Sequence, residues 1–529
     1  MDNITNNFIT DFIKEDLGDN TDKIITRFPP EPNGHLHIGH AKSIILNGEL
    51  AKYYSGKFNM RFDDTNPAKE SIEYVNSILE DVKWLGYDYG ERLFFASDYF
   101  ETFYDCALNL INKGLAFVCD LTGDEVHEYR GTFIESGKNS PFRGRTVEEN
   151  LQLFKEMREG KYADGERTLR AKIDMAHSNI VMRDPIIYRI ARVHHHNTGD
   201  NWCIYPMYDY AHPLEDAIEN ITHSLCSLEF VNNRPLYDWF IENAWTGESK
   251  PRQIEFGKLS ISKSILGKRH LNKLVAEGKV QGFDDPRLLT LKGLKRRGYT
   301  PEIIKTFINE VGISKSDGTV EIELLEHHAR DILKKETKSL MAVLDPLKVV
   351  ITNLKEDETL ILENSVESDL GSREVIFTRE IYIEREDFME NPPKKFFRLS
   401  PGTEVRLKGA YFIKCKEVIK DDSGNIVELR CTYDPETKSG SGFTGRKVKG
   451  VLHWVSANHA VKKIVNLFDY LVDEEGNLNE NSVTRKEALI EPAILGEDER
   501  IQFMRHGYFY KDSEELNLIV SLKSSFKNI

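Results

Sequence analysis

The stretch Arg27-Phe28-Pro29-Pro30-Glu31-Pro32-Asn33-Gly34-His35-Leu36-His37-Ile38-Gly39-His40-Ala41-Lys42-Ser43 decides the fold. It begins inside a short run of β-branched and aromatic residues, 24–28, which reads as a strand, and residues 29–34 break that strand with prolines, Asn33 and Gly34. From Ile38 onward Ala41, Ile44, Ile45, Gly48 and Ala51 recur at helical spacing, and Phe58, Met60 and Phe62 then alternate as on a second strand. Strand, helix and strand make one βαβ unit. A second helix follows Asn66-Pro67, with Ile72, Val75, Ile78, Leu79, Val82 and Leu85 on one face, so this region reads as an open α/β sheet with parallel strands. His37-Ile38-Gly39-His40 falls at the mouth of the first helix. There the free N–H groups and helix dipole favour an anion, Gly39 permits close approach, and two imidazoles can bond phosphate oxygens. Taken bare, the same four residues also fit two structural histidines.

Working outward, residues 98–205 have a mixed pattern with helical pieces at 101–113 and 148–158 and a Gly/Pro/Ser-rich loop at 131–141, which reads as an inserted domain. Strand-like text at 203–208 and 221–225, followed by a helix at 235–244, is expected to complete the interrupted sheet. Residues 258–337 read as a helical subdomain, and 338–529 change to short alternating strands with turns such as Asp421-Asp422-Ser423-Gly424-Asn425, the texture of β-barrels or sandwiches. The expected organisation is a catalytic α/β domain at 1–97 and 206–257, the insert at 98–205, the helical subdomain, and the all-β part.

Composition narrows the class. The 529 residues allow several cores, and 40% hydrophobic with 30% charged residues is ordinary for a globular chain rather than a disordered one. No apolar run is long enough to span a bilayer and no leader pattern opens the chain, so a cytoplasmic location is expected. Six cysteines without a C-x-x-C pair argue against a zinc site or a disulfide framework, and no structural metal is expected. The net charge of −15 by itself speaks against a nucleic-acid partner, but residues 258–297 hold eleven basic and three acidic side chains. Such a run reads either as a solvated face or as a phosphate-contacting patch.

The opening stretch resembles the class I aminoacyl-tRNA synthetases, specifically the glutaminyl-tRNA synthetases. Further landmarks stand in family order: Arg61-Phe62-Asp63-Asp64-Thr65-Asn66-Pro67, Cys203-Ile204-Tyr205-Pro206-Met207-Tyr208-Asp209, His223-Ser224-Leu225-Cys226, Asp284-Asp285-Pro286-Arg287 and residues 445–451. The resemblance implies a Rossmann-like catalytic domain, an inserted acceptor-stem domain, a helical subdomain carrying a signature loop, and two C-terminal β-barrels that read the anticodon. It also implies a reaction: ATP with Mg²⁺ activates L-glutamine as an adenylate, which is transferred to the 3′ end of glutamine tRNA. No obligate protein partner is expected, and a monomer is the expected state.

The resemblance assigns roles residue by residue. Glu31, Pro32, Asn33, His37, Ile38, Gly39, His40, Ala41, Lys42, Ser43, Ser227, Lys258 and Leu259 would surround ATP, with His37 and His40 catalytic. The signature loop's lysine has two candidates. Registering the flanking text without gaps places the loop at Leu266-Gly267-Lys268-Arg269 and makes Lys268 catalytic, with glycine where the family has serine, whereas Ile261-Ser262-Lys263-Ser264 offers Lys263. Either would be a mobile cation that stabilises departing pyrophosphate. Asp63 would pair with the glutamine α-ammonium, or, read without the family, cap the next helix. Tyr208, His212, Cys226 and Gln253 would complete the glutamine site.

Glutamine and glutamate share a shape, so charge and hydrogen-bond polarity must discriminate them. Related glutamyl enzymes carry arginine where this chain has Cys226, and a pocket lacking that cation would bury an unpaired glutamate charge. For the tRNA, Phe133 stands where the family has an apolar wedge, or else anchors its loop, and Asn232 replaces the family's Asp near the acceptor stem. Lys395 and Arg398 fall in the anticodon segment and read equally as a lysine-protected strand edge. Three rivals stay open at this point: a glutamyl-specific relative, a nucleotidyltransferase without tRNA, and a silent RNA-binding paralogue.

Overall fold

The structure, a computed structural model, describes residues 2–68 and 70–522, and the described residues fall into two compact units, one within 2–261 together with 304–320 and the other within 262–303 together with 321–522. In the first unit the strand Ile25–Phe28 pairs in parallel with Lys57–Phe62, which pairs in parallel with Leu93–Phe95. His223–Ser227 and Arg252–Phe256 form a second parallel pair. Thr222 N–H donates to Ile25 O (3.1 Å), setting the second pair beside the first. The helix Ile38–Tyr53 buries Ile38, Ala41, Ile44, Ile45, Leu46, Leu50 and Ala51, so it is covered on most sides rather than amphipathic. Gly48 is required within it, because a Cβ there would lie 2.3 Å from Cδ1 of Tyr87.

One expectation is corrected. Ile204–Pro206 does not rejoin the parallel sheet; it pairs antiparallel with Ile186–Ile190 and closes a four-stranded sheet with Ala116–Cys119 and Thr168–Ala171. Its apolar run reads alike for either sheet, and the pairing is decided by the backbone register, with Met207 N–H donating to Ile187 O (2.9 Å). This sheet packs with Phe100–Asn112 and Val147–Arg158 around Phe100, Phe103, Phe154, Tyr188 and Tyr210.

The second unit holds two seven-stranded sheets. In one, the end strands are Val451–Leu452 and Val455–Ser456; in the other they are Lys338–Leu340 and Ala342–Val343. Because each terminal pair is nearly consecutive in the chain, each sheet must curl until its ends meet, which gives two barrels. Leu347, Val349, Ile381, Leu429 and Trp454 fill the first, and Val465, Ile490, Phe503 and Phe509 the second. Among the described residues no helix is long and apolar enough to cross a membrane.

Candidate active site

His37 is the N-cap of Ile38–Tyr53, and the cap is made by imidazoles in both directions: Gly39 N–H donates to His37 Nδ1 and His37 N–H donates to His40 Nδ1, each at 3.1 Å. Burial lowers the His37 pKa to about 4, and burial with the neighbouring His37 pushes His40 well down, so both rings are neutral at pH 7. A neutral ring that accepts at Nδ1 carries its proton at Nε2. The pair, 3.9 Å between centroids, therefore presents two Nε2–H donors rather than two charges. Gly39 is required because a Cβ would sit 2.8 Å from His37 Cε1.

Around this helix mouth Glu31 is exposed and accepts from Asn33 Nδ2, and Pro32 O accepts from Ser71 N–H (3.1 Å). Ile38 and Ala41 are buried, and Ser43 O accepts from Asn47 Nδ2 (2.9 Å). Lys42, grouped by resemblance with the nucleotide contacts, is buried and donates from Nζ to Gly257 O (2.7 Å), with burial lowering its pKa to about 8. Its ammonium thus ties the helix to the segment that continues into Lys258 and Leu259. Lys258 pairs with Glu229, Leu259 is buried with its carbonyl 3.6 Å from the Cβ position of Gly39, and Ser227 ends its strand half-buried.

Asp63 follows the second parallel strand and is 2% exposed. Oδ1 accepts from Thr65 Oγ1 (2.9 Å), whereas Oδ2 is buried without a partner, and burial raises the pKa to about 7. A helix-capping role is not what this geometry displays, since the cap of the following helix Ile72–Trp84 is Ser71. A buried carboxylate oxygen without a donor is the acceptor that a cationic ligand satisfies. Glu70 joins it with a buried Oε2 and a pKa raised by burial to about 9, a contributor that sequence reading had no signal to find.

Tyr208 opens the helix Tyr208–Ile218 and stacks on His212 (5.2 Å). Arg27 donates to His212 Nε2 (2.6 Å), Ser224 Oγ (2.6 Å), Leu225 O (2.7 Å) and Asp216 Oδ1 (3.1 Å). Because guanidinium only donates and burial lowers the His212 pKa to about 4, His212 is neutral with Nε2 accepting, so its 3.1 Å approach to Asp216 is not an ion pair. Arg61 also pairs with Asp216 (2.8 Å), and Tyr237 Oη donates to it (2.9 Å). Two buried guanidiniums hold Asp216 well below the usual carboxylate range. Cys226 is a neutral thiol, its pKa raised by burial to about 12, and Gln253 Nε2 donates to Phe230 O (3.3 Å) and Glu255 (2.9 Å).

Phe133 is 86% exposed, with Ile134 beside it at 96%, which removes the loop-anchor reading. Their loop is held by Arg183 Nη1, which donates to Arg130 O, Thr132 O and Glu135 O at 2.8 to 2.9 Å. Asn232 O accepts from Asn179. In the second unit Lys263 pairs with Glu323 and lies over the Tyr470 ring (5.0 Å). Lys268 is exposed and begins the helix Lys268–Ala276 after Gly267, with Leu266 half-buried, so the expected loop is already helical at its lysine. The basic run is less free than its composition implies: Lys263, Lys273, Lys279, Arg287 and Arg296 sit in ion pairs, and Arg297 is buried. Lys395 and Arg398 line a cleft of about 610 Å³ with Phe397, Lys449 and Arg505, where Arg398 and Arg505 share Asp387.

Among the described residues, two groups unforeseen in the sequence have metal-ligand types. In Asp64, His195 and His196, both nitrogens of His195 are engaged, Nδ1 by Asn197 and Thr198 N–H and Nε2 by Asp64 O (2.7 Å). In Glu384, His453 and His506, Glu384 already accepts from Leu344 and Asp345 N–H and pairs with His506.

The family model for tRNA synthetases class I (E and Q), catalytic domain, matches residues 23–335, and two models for the anticodon-binding domain of the same family match 339–434 and 451–512. Relatives called glutamine–tRNA ligase match along nearly their whole length. One from Clostridium perfringens is 57% identical over 99% of this chain and 99% of its own, one from Clostridium kluyveri is 55% identical over 99% and 98%, and one from Clostridioides difficile is 54% identical over 100% of both. With the helix-mouth histidines, the orphaned Asp63 and two barrels in place, the chain belongs to the class I tRNA synthetases of the glutamyl and glutaminyl (E and Q) family.

Proposed function

We propose that this chain ligates L-glutamine to the 3′ end of glutamine tRNA, using ATP as its magnesium complex. A glutamine carboxylate oxygen attacks the α-phosphorus, the bond to pyrophosphate breaks, and glutaminyl-adenylate forms. The 2′-hydroxyl of the terminal adenosine then attacks the acyl carbon and AMP leaves. Most of the acceleration comes from alignment and from donors aimed at developing charge. His37 and His40 donate Nε2–H to phosphate oxygens, Lys268 adds a cation as pyrophosphate departs, and Asp63 takes the α-ammonium. Glu31 and Asn33 lie beside the nucleotide and terminal adenosine, Ser227 and Lys258-Leu259 line adenine, and Tyr208 meets the side-chain amide. Phe133 opens the first acceptor base pair, and Lys395 and Arg398 contact anticodon bases. The chain acts as a cytoplasmic monomer.

The observation that carries glutamine over glutamate is Cys226, a neutral thiol whose neighbour Arg27 is already bound to Asp216, so a substrate carboxylate would have to be buried without a counter-charge of its own. The test is aminoacylation of glutamine tRNA transcripts with glutamine or glutamate offered separately, with Lys268→Ala alongside. Glutamine charging far above glutamate, and strongly reduced in the variant, is the expected result. Preferential glutamate charging overturns the Cys226 argument, and full activity in the variant moves the role to Lys263.

A further inference from the structure

Ser224 stands opposite Gln253, and Cys226 opposite Glu255, in the parallel pair formed by His223–Ser227 and Arg252–Phe256. Alternate residues point to one side of a sheet, so these four share a face. That face meets the helix Tyr208–Ile218, since Ser224 Oγ lies 3.3 Å from His212 Nε2 and His212 stacks on Tyr208. Glu255 is buried there and holds two neighbours. Arg234 Nε donates to its Oε1 (2.8 Å), the Arg234 Nη2 group pairs with its Oε2, and Gln253 Nε2 donates to Oε1 (2.9 Å). Gln253 Nε2 also donates to the carbonyl of Phe230, whose ring packs on Tyr208 at 5.4 Å. With both amide protons directed to acceptors, flipping Gln253 would set its oxygen against Glu255 and the Phe230 carbonyl, so the orientation is fixed and the oxygen is what Gln253 can offer a ligand. The charge of Arg234 reaches Cys226.

We propose that Glu255 is a positioning residue that sets amide-over-carboxylate specificity, by neutralising Arg234 beside Cys226 and by holding Gln253 with its acceptor available to the substrate. The proposal rests on the glutamine reading above. A glutamine side chain brings a donor NH₂ to that acceptor, whereas a glutamate side chain brings only acceptors and finds the nearby guanidinium already paired. Removing the Glu255 charge frees Arg234 for a substrate carboxylate and lets the Gln253 amide turn its donors toward it.

The experiment measures kcat/KM for glutamine and for glutamate in tRNA charging by the wild type, Glu255→Gln, and Glu255→Gln combined with Arg234→Ala. In Glu255→Gln the glutamine-to-glutamate ratio is expected to fall at least about tenfold, with the glutamate value rising and the KM for ATP within about twofold of wild type. The double variant is expected to lose the gain in glutamate charging. A purely structural role would lower both amino-acid values together and leave the ratio unmoved, and that outcome overturns the proposal. Should circular dichroism show that Glu255→Gln does not fold, Glu255→Ala, which removes both the charge and the acceptor, is measured in its place: a fall in the ratio supports the proposal and an unmoved ratio overturns it. A wild type that prefers glutamate overturns the glutamine reading and this proposal together; a wild type that prefers glutamine with an unmoved ratio in the variant overturns this proposal alone.

Discussion

Gly39→Ala separates catalysis from stability. Its new Cβ would lie 2.8 Å from His37 Cε1 and 2.9 Å from Nδ1, against ordinary contact of at least 3.4 Å, so the ring must retreat by about 0.6 Å. That movement breaks the Gly39 N–H bond to Nδ1 and removes the constraint that keeps the proton on Nε2. Losing the cap costs about 1 kcal/mol, and replacing Gly by Ala in a helix returns up to about 1 kcal/mol, so folding stability should barely move. Activity should move far more, because a misplaced donor to developing phosphate charge is worth about 3 kcal/mol, or about 100-fold. Steady-state aminoacylation with ATP varied, read beside calorimetry, is the assay: kcat/KM for ATP falls about 100-fold while the unfolding temperature stays within about 2 °C. Wild-type-like kinetics, within about threefold, would refute the role given to His37 Nε2–H, and a collapse of stability would refute the cap arithmetic.

Other consequences are equally direct. Since the folded pKa of Asp63, about 7, lies above its ordinary 3.8, its ionisation costs stability that grows as pH rises from about 4 to 7; Asp63→Asn should raise the unfolding temperature at pH 8 while abolishing glutamine charging. In the wild type, the KM for glutamine should climb as pH falls below about 7, because the protonated carboxyl no longer pairs with the ammonium, and a flat profile from pH 6 to 8 would contradict this. Asp216→Ala leaves Arg27 and Arg61 buried without their shared counter-charge and should cost about 3–5 kcal/mol in chemical denaturation. Phe133→Ala, at an exposed tip, should change stability by less than about 0.5 kcal/mol yet slow charging, with recovery on a tRNA whose first acceptor pair is mismatched.

The first strand, the helix at 38, the helices Phe100–Asn112 and Val147–Arg158 and the strand-rich C-terminal part were all legible from periodicity and turn residues, because each depends on the pattern within one short segment. Ile204–Pro206 was legible as a strand but not as a member of its sheet, since an apolar run carries no record of its partner. Phe133 shows the same limit, as an aromatic residue in a loop reads alike whether it is buried or exposed.

For the site, the sequence alone determined which chemistry is carried: two imidazoles at a helix mouth, a carboxylate after a parallel strand, and a thiol rather than a cation at position 226. These are properties of residue type and local position. Only the tertiary structure decided protonation and availability, because both depend on what lies around each group in space. It made His37 and His40 neutral donors, gave the Lys42 ammonium to Gly257, left Asp63 Oδ2 without a donor, and set Glu255 between Arg234 and Gln253. Burial sets the first and third of these states, and Gly257 and Arg234 come from segments 215 and 21 residues away from Lys42 and Glu255, separations that no local pattern encodes.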